Sequence, residues 1–506
     1  MPNAARLFHT ARILATLAPV VAVAALATPA VASTACSSSS TPGGTWPSYG
    51  HDLTNTRTQP SETTLSPASL TREWVFSTTS AGDSAGVFNS TPVVADGCVF
   101  AGSGGGFVYA LDEHTGSVKW QRKIDVPSPG FGGAIVGAPE VSGGRVFVLV
   151  NKGGGPYAVA LDEHTGALVW QSAPVTTQAD SFTNASAAIF NGLLFFGFSP
   201  PDSPTGQGGF ALIDTTSGNI VDVTPTIPPA DQAQGFSGGG IYSTPAFDSG
   251  GQFAYVGTAQ PHSPQQHPNT DAILKIDMNR SSSTFGQIVA HFNGNPEQFT
   301  SSLQSLSQTP ACQTLSVSGA PLEVVAIGCG QLNLDFAASP NLFTDASGQA
   351  LVGDLQKSGV YWAAHADSMA VDWGTQVGFE CRACNGASGA FYGNAIYDGA
   401  SPGSTEFALN RTTGGPLWEA PLGDEPHFES TSVANGVVYT LDGFGFLDAF
   451  DATNGHVLLH RQTSTDTGAP TGGPTSSGVA IADHAVFVAT AQQPGLGTPG
   501  YIIAYH

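Results

Sequence analysis

The sequence predicts an all-β protein: an eight-bladed β-propeller of four-stranded antiparallel blades, its ring closed by pairing of the N- and C-terminal strands. Three observations predict it. The stretch Phe107–Trp120, FVYALDEHTGSVKW, recurs fifty residues later as Tyr157–Trp170, YAVALDEHTGALVW. Self-similarity at a period of roughly 40–50 residues signals a repeat architecture. Weaker copies of the same device run to the end of the chain. The composition, with 63 Gly, 35 Pro and only 10% charged residues, suits many short strands joined by turns and does not suit a disordered chain.

Each copy reads as an alternating strand, a tight turn carrying Asp and Gly, and a second strand ending in an aromatic. Blade 1 runs from about Thr91 to Ile124 and blade 2 from about Ala138 to Gln171. Blade 3, about Ala187 to Val223, carries Asp214 and Gly218 in register but no closing Trp. Blade 4, about Thr244 to Phe292, is centred on Asp277. Blade 5, Asp335–Val377, has His365 where the Asp usually stands, and Trp373 on schedule. Blade 6, about Ala387 to Leu422, has Asn410 and Trp418, and blade 7, about Thr431 to Arg461, has Asp451 and Gly455. The last segment, Gly473–His506, supplies inner strands but no outer one. The missing piece is the orphan strand REWVFS, Arg72–Ser77. Pairing the two ends completes an eighth blade and leaves only short, protected edges.

The repeated residues have structural work to do. Asp and Gly suit a turn that needs a capping side chain and a left-handed backbone position. The Trp suits a wedge between neighbouring blades, where a large apolar surface counts most. Asp112, Asp162, Thr115, Gly116, Trp120, Trp170 and His365 are therefore read as scaffold.

Residues 1–32 have the layout of a secretory signal. Arg6 and Arg12 precede the apolar run Ile13–Ala27, and Ala30-Val31-Ala32 is a small-residue cleavage site. The run is short for a membrane span, so no transmembrane segment is expected once the signal is removed. Residues 33–45 form a flexible Ser/Gly tether, and residues 46–506 form the propeller, interrupted by an insertion at about 293–334. Cys36 follows Ser33-Thr34-Ala35, a poor lipobox, which argues against a lipid anchor. A secreted or extracytoplasmic chain, periplasmic or at the cell surface, is permitted disulfides. The best pairs in the sequence are Cys312–Cys329 and Cys381–Cys384, while Cys98 reads as a buried small hydrophobe. The net charge of -23 excludes nucleic acid as a partner, because phosphate binding needs a cationic face.

The repeat, an aromatic followed by x-x-A-L-D-x-x-T-G-x-x-x-W, resembles the blade motif of quinoprotein dehydrogenases. In that family eight-bladed propellers hold pyrroloquinoline quinone (PQQ) on the axis. Three stretches are similar to the polyvinyl alcohol dehydrogenase branch: WPSYGHDLTNTR at Trp46–Arg57, GGIYSTPAFDSGGQFAYVGT, and DFAASPNLF followed by LQKSGVYW. The resemblance implies a PQQ-dependent alcohol dehydrogenase acting on secondary alcohols, polymeric ones included. Electrons would pass to an external acceptor such as a cytochrome c, since CRAC is followed by Asn385 and not by a haem His.

By position, the resemblance implies roles for particular residues. Tyr242 would form an aromatic floor under the quinone ring. Lys357 would hydrogen-bond the quinone carbonyls, with Gln356 beside it where methanol-type enzymes carry an Asp base. Asp202 and Gln260 would supply oxygens to a Ca2+ ion. An amide cannot serve as a base at neutral pH, so Asp335 and Asp354 become the candidates for that role. The chain departs from some relatives in having no adjacent Cys–Cys pair for a vicinal disulfide lid. The competing expectation is a non-catalytic propeller of the same repeat family, acting as an extracytoplasmic binding scaffold. An enzyme would gather Tyr242, Lys357 and at least one carboxylate around one funnel-shaped cavity; a scaffold needs no such convergence and would expose a broad polar or apolar rim.

Overall fold

The computed structural model describes residues 36, 43–124, 133–201, 203–263, 266–294, 334–378, 385–400, 405–423, 429–472, 477–492 and 497–506. The expected leader, most of the tether, most of the 293–334 insertion with Cys312 and Cys329, the pair Cys381–Cys384, and Asp202 lie outside the described residues. Among the described residues, no helix is long and apolar enough to cross a membrane.

Eight blades of four antiparallel strands follow one another along the chain, the seventh extended by a fifth, parallel strand. Blade 1 consists of Val93–Ala95, Cys98–Gly102, Phe107–Asp112 and Val118–Lys123. The second strand is buried throughout, whereas the fourth buries only Trp120 and turns its other residues outward. This is the gradient expected when a sheet packs face to face with both neighbours near the axis and meets solvent at its rim. Blades 2 to 7 repeat the plan at the expected positions. The eighth is closed as the sequence predicts. Arg72–Ser77 pairs antiparallel with Gly500–Tyr505, in register Trp74↔Ala504 and Phe76↔Ile502.

The Asp turn and the Trp form one lock between successive blades. In blade 2, Asp162 Oδ1 accepts the backbone N–H of Thr165 at 2.9 Å and its hydroxyl at 2.7 Å. Gly166 takes a left-handed φ of +66°. That glycine lies flat against Trp120 of blade 1, whose indole N–H donates to the carbonyl of Glu163 at 2.7 Å. The same indole-to-carbonyl bond joins Trp74 to Glu113, Trp170 to Thr215 and Trp418 to Ala452. Gly is required because a Cβ at 166 would stand 2.5 Å from Trp120 Cε3.

Gly166→Ala is therefore expected to lower stability by about 2–4 kcal/mol, combining overpacking with the left-handed penalty. Gly192, with φ +73° and only Thr215 Oγ1 near a Cβ, at an unstrained 3.9 Å, separates the two effects. Gly192→Ala carries only the backbone term, about 1–2 kcal/mol. Denaturation midpoints of the two variants measure the difference, and equal midpoints would show that the wedge contributes nothing.

The stretch Trp46–Arg57 has a role that its sequence does not announce: it lines the inside of the ring. Trp46 exchanges two backbone hydrogen bonds with Val94 of blade 1, and Pro47 O accepts from Val141 of blade 2. Leu53, Thr54, Thr56 and Arg57 then accept from Phe247, Leu342, Phe391 and Val433, on the first strands of blades 4, 5, 6 and 7. Thr58–Gln59 adds a parallel strand to blade 7, and the Gln59 amide reaches Ile481 O of blade 8. These bonds satisfy first-strand edges that would otherwise face the axis unpaired. A second belt runs just above it: Ala138 N donates to Ser186 Oγ, Ser186 N to Thr244 Oγ1, Thr244 N to Ser339 Oγ, and Ser339 N to Ser388 Oγ, at 2.8–3.1 Å.

The cysteine reading needs correcting. Cys98 is fully buried, as expected of a small hydrophobe, but it is disulfide-bonded to Cys36, with Cα atoms 5.6 Å apart. Cys36 packs in the core between blades 1 and 2 with Val93, Val141 and Leu161. Its thiol is consumed, so it does not carry a lipid. Sixty-two residues separate the two sulfurs in sequence, and only the fold brings them together.

Candidate functional site

The Asp turns and the short turns between first and second strands lie at one end of the ring. The loops joining second to third strands lie at the other, and the expected site residues belong there. In blade 5, Ala350–Leu355 and Val360–His365 are joined by Gln356-Lys357-Ser358-Gly359. The loop is closed by Gly359 N donating to Gln356 O at 2.9 Å, with Gly359 at φ +79°. Lys357 sits at its tip.

Lys357 is held from two sides by Asp335, on the chain entering blade 5. Its backbone N–H donates to Asp335 O at 2.9 Å, and its ammonium lies 2.7 Å from Asp335 Oδ2. Both side chains are mostly shielded, 11% and 2% exposed, so this pair is stronger than a surface ion pair. Asp335 Oδ1 accepts the backbone N–H of Gln260 at 2.6 Å, and the Gln260 amide nitrogen, turned toward Asp335, donates to both oxygens. Asn385, from blade 6, donates its amide to Lys357 O at 3.2 Å. Three expected residues thus meet directly: Lys357, Asp335 and Gln260.

Asp271 belongs to the same cluster and was not anticipated. It stands one residue before the strand Ala272–Asp277, at φ +49°. Its Oδ2 accepts Gln266 Nε2 at 3.3 Å, while its buried Oδ1 has no hydrogen-bond partner. Burial first, and then the negative charge of Asp335, push its carboxyl well above the usual range, with Lys357 pulling the other way. Its signal in the sequence, an Asp leading into the apolar AILKID, is too common to single out.

The remaining expected residues are placed as follows. Tyr242 is half-buried and stacks on Phe182, ring centres 5.9 Å apart and planes at 25°. It follows Gly239 and Gly240, which bond to Gln260 O and Ala259 N, so it lies on the same edge as the Lys357 cluster. Gln356 turns inward: its Oε1 accepts Ser358 Oγ at 2.6 Å and Trp362 Nε1 at 3.2 Å, supporting the loop from below. Asp354, next to last in the strand Ala350–Leu355, is buried in the seam near Tyr361 and Asp398, its carboxyl pushed well above the usual range by burial. Neither of its carboxylate oxygens has a hydrogen-bond partner, so it makes no hydrogen bond to the Lys357 pair. His365, at the opposite end of its strand, pairs with Asp372 at 3.5 Å in the repeat's turn position.

A cation with its carboxylate, a second carboxyl with an unpartnered oxygen, and a stacked aromatic pair on the same rim fit an anionic, planar, oxygen-rich group. The orphaned Asp271 Oδ1 is the sharpest sign that a further partner belongs there.

The chain matches the family model described as outer membrane protein assembly factor BamB over residues 58–291. No curated protein matches the sequence. Among solved structures, the quinohemoprotein alcohol dehydrogenase from Comamonas testosteroni is similar with TM-score 0.66 at 16% identity, over 91% of this chain and 80% of that one. A europium-containing methanol dehydrogenase gives TM-score 0.67 at 14% identity, over 91% and 98%. BamB from Moraxella catarrhalis gives 0.52 at 12% identity, over 86% and 97%. At these identities the likeness is one of fold. Repeat, closed ring and solved-structure likeness together show an eight-bladed β-propeller, and the family model matches part of that ring, residues 58–291.

Proposed function

We propose that the protein is an exported PQQ-dependent alcohol dehydrogenase with its site at Lys357, Asp335 and Asp271. The observation that carries this reading is the shielded Lys357–Asp335 pair, 2.7 Å apart, at the loop end of the ring. The disulfide agrees with an oxidising compartment, and resemblance to the polyvinyl alcohol branch points to secondary alcohols, polymeric ones included.

Lys357 and the Tyr242–Phe182 pair would hold the cofactor. Among the described residues, Gln260 and Asp271 would supply oxygens to an accompanying Ca2+ ion. When bound, PQQ supplies a two-electron acceptor for hydride. Asp335 takes the proton of the substrate hydroxyl as the C–H bond breaks, leaving a ketone. Lys357 orients that carboxylate and presents an N–H donor on its other side. Gln356 and Asn385 hold the loop so that the ammonium cannot swing away. Electrons leave to an external acceptor such as a cytochrome c.

The test is a reconstitution titration with PQQ and Ca2+, followed by quinone absorbance and by dye reduction with a secondary alcohol. Saturable binding and turnover are expected in the unaltered chain, and Lys357→Ala is expected to remove both. A chain that binds no PQQ at micromolar concentration with Ca2+ present is instead a binding scaffold. The BamB family match over residues 58–291 supports that second reading.

A further inference from the structure

Glu113, His114 and Asp483 form a cluster at the opposite end of the ring from Lys357. Glu113 and His114 follow Asp112 in the turn of blade 1. Asp483 lies in blade 8, in the turn between Val479–Ala482 and Ala485–Ala491. Asp483 and His484 both have left-handed backbones, φ +46° and +61°. Trp74, the wedge of the closing blade, fixes the other side through its 2.9 Å bond to Glu113 O. Both turns are therefore pinned by the fold, and their side chains converge on the seam between blade 8 and blade 1.

One carboxylate oxygen from Glu113, one from Asp483 and a ring nitrogen of His114 all lie within 4.8 Å of one another. His114 Nδ1 is 3.6 Å from Asp483 Oδ2, and Nε2 is 3.6 Å from Glu113 Oε1. The two 3.6 Å contacts use different ring nitrogens, so an ion bound at one of them must draw the other carboxylate in from within 4.8 Å to the roughly 3.4 Å that separates two ligands of a tetrahedral Zn2+ ion. Glu113 is only 2% exposed, and its Oε2 has no hydrogen-bond partner. A buried carboxylate oxygen facing a second carboxylate is costly unless a cation joins them.

The next seam provides an internal comparison. Glu163 and His164 occupy the same repeat positions, and Asp96, at φ +48°, matches Asp483. There burial and the neighbouring Asp96 push the Glu163 carboxyl up, and His164 Nδ1 is taken up by the carbonyl of Cys36. At this seam the imidazole is engaged by the disulfide-bonded Cys36. The same three residue types thus sit at both seams, but only the seam between blades 8 and 1 keeps them facing one another.

We propose that Glu113, His114 and Asp483 bind a first-row divalent cation of the Zn2+ class, with water completing its coordination. Bound there, the ion cross-links the C-terminal strands of the closing blade to blade 1. It reinforces the junction where the chain's two ends close the ring. Two carboxylates and one imidazole favour Zn2+ over Ca2+ or Mg2+, which take oxygen ligands in larger number.

The experiment uses tag-free full-length protein stripped with EDTA. Zn2+ is titrated by calorimetry, and thermal unfolding is recorded with and without the metal. One equivalent should bind and raise Tm by a few degrees, roughly as linkage requires for a ligand well above its Kd. His114→Ala, an exposed position that the fold does not need, and Asp483→Asn should each weaken binding at least ten-fold and abolish the Tm rise. His164→Ala should leave both intact. Absence of a stoichiometric Zn2+ site, or a Tm rise that survives in His114→Ala and Asp483→Asn, overturns the proposal. Neither readout involves PQQ or turnover, so the result is independent of the proposed activity.

Discussion

Asp335→Asn is expected to lower turnover of a secondary alcohol by roughly 10²–10⁴-fold, the range by which general-base catalysis ordinarily contributes. Asn keeps the shape and can still accept a hydrogen bond from Lys357, but it cannot take the hydroxyl proton. PQQ binding should therefore survive within a few-fold, in contrast to Lys357→Ala, which removes it. The split between binding and rate is the diagnostic. The substitution also removes the counter-charge that faces the Lys357 ammonium at 2.7 Å, and breaking a shielded ion pair destabilises by about 3–5 kcal/mol. Unfolding must accordingly be recorded on the same sample. Asp335→Asn that folds, binds PQQ and turns over at the unaltered rate would remove Asp335 from the mechanism. Asp354→Asn provides the contrast. Asp354 is buried away from the pair, so its loss is expected to change stability and leave the rate of the folded fraction unaltered.

The second large effect concerns the axis. Arg57→Ala is expected to destabilise the ring by about 3–5 kcal/mol, the scale set by a large buried side chain lost together with several charged hydrogen bonds. Arg57 is completely buried. Its guanidinium donates to Thr431 O at 2.7 Å, to Ser432 Oγ at 3.2 Å, to Thr91 Oγ1 at 3.4 Å, and to the carbonyl of Tyr49. It also lies over the rings of Tyr49 and Trp46, at 4.8 and 5.7 Å. One side chain thus joins the axial segment to blades 1 and 7. Gly478 of blade 8 is glycine for the same reason, because a Cβ there would stand 2.6 Å from the guanidinium. Calorimetry of Arg57→Ala and Arg57→Lys measures this role. Lys should recover less than half of the loss, since its ammonium lacks the planar fork that reaches several acceptors at once. An unchanged Tm in Arg57→Ala would show that the axial segment is dispensable.

The ring itself was legible in the sequence, blade by blade, because its locks are local. An Asp that caps its own turn, a Gly three or four residues on and a Trp at a constant offset all act within one repeat or on the next. The orphan strand REWVFS could be assigned by elimination, since a closed ring has no spare edge. Lys357 stood out because cations are scarce in this chain, 15 in all.

What the tertiary structure decided has one physical cause: these contacts join residues far apart in sequence, and no spacing encodes them. The pairing of Lys357 with Asp335 and Gln260 depends on how blades 4 and 5 abut, and Asp271 enters the cluster by the same route. Gln356 and Lys357 are neighbours in the chain, yet the tight loop turns one inward to Trp362 and leaves the other at the tip. Trp46–Arg57 reads as an ordinary loop, since its hydrogen bonds go to six blades and none to itself in a regular pattern. Cys98 looked like an inert hydrophobe until the fold brought Cys36 against it. Periodic local interactions determine the wheel, and the non-local meeting of its blades determines the chemistry at its axis and seams.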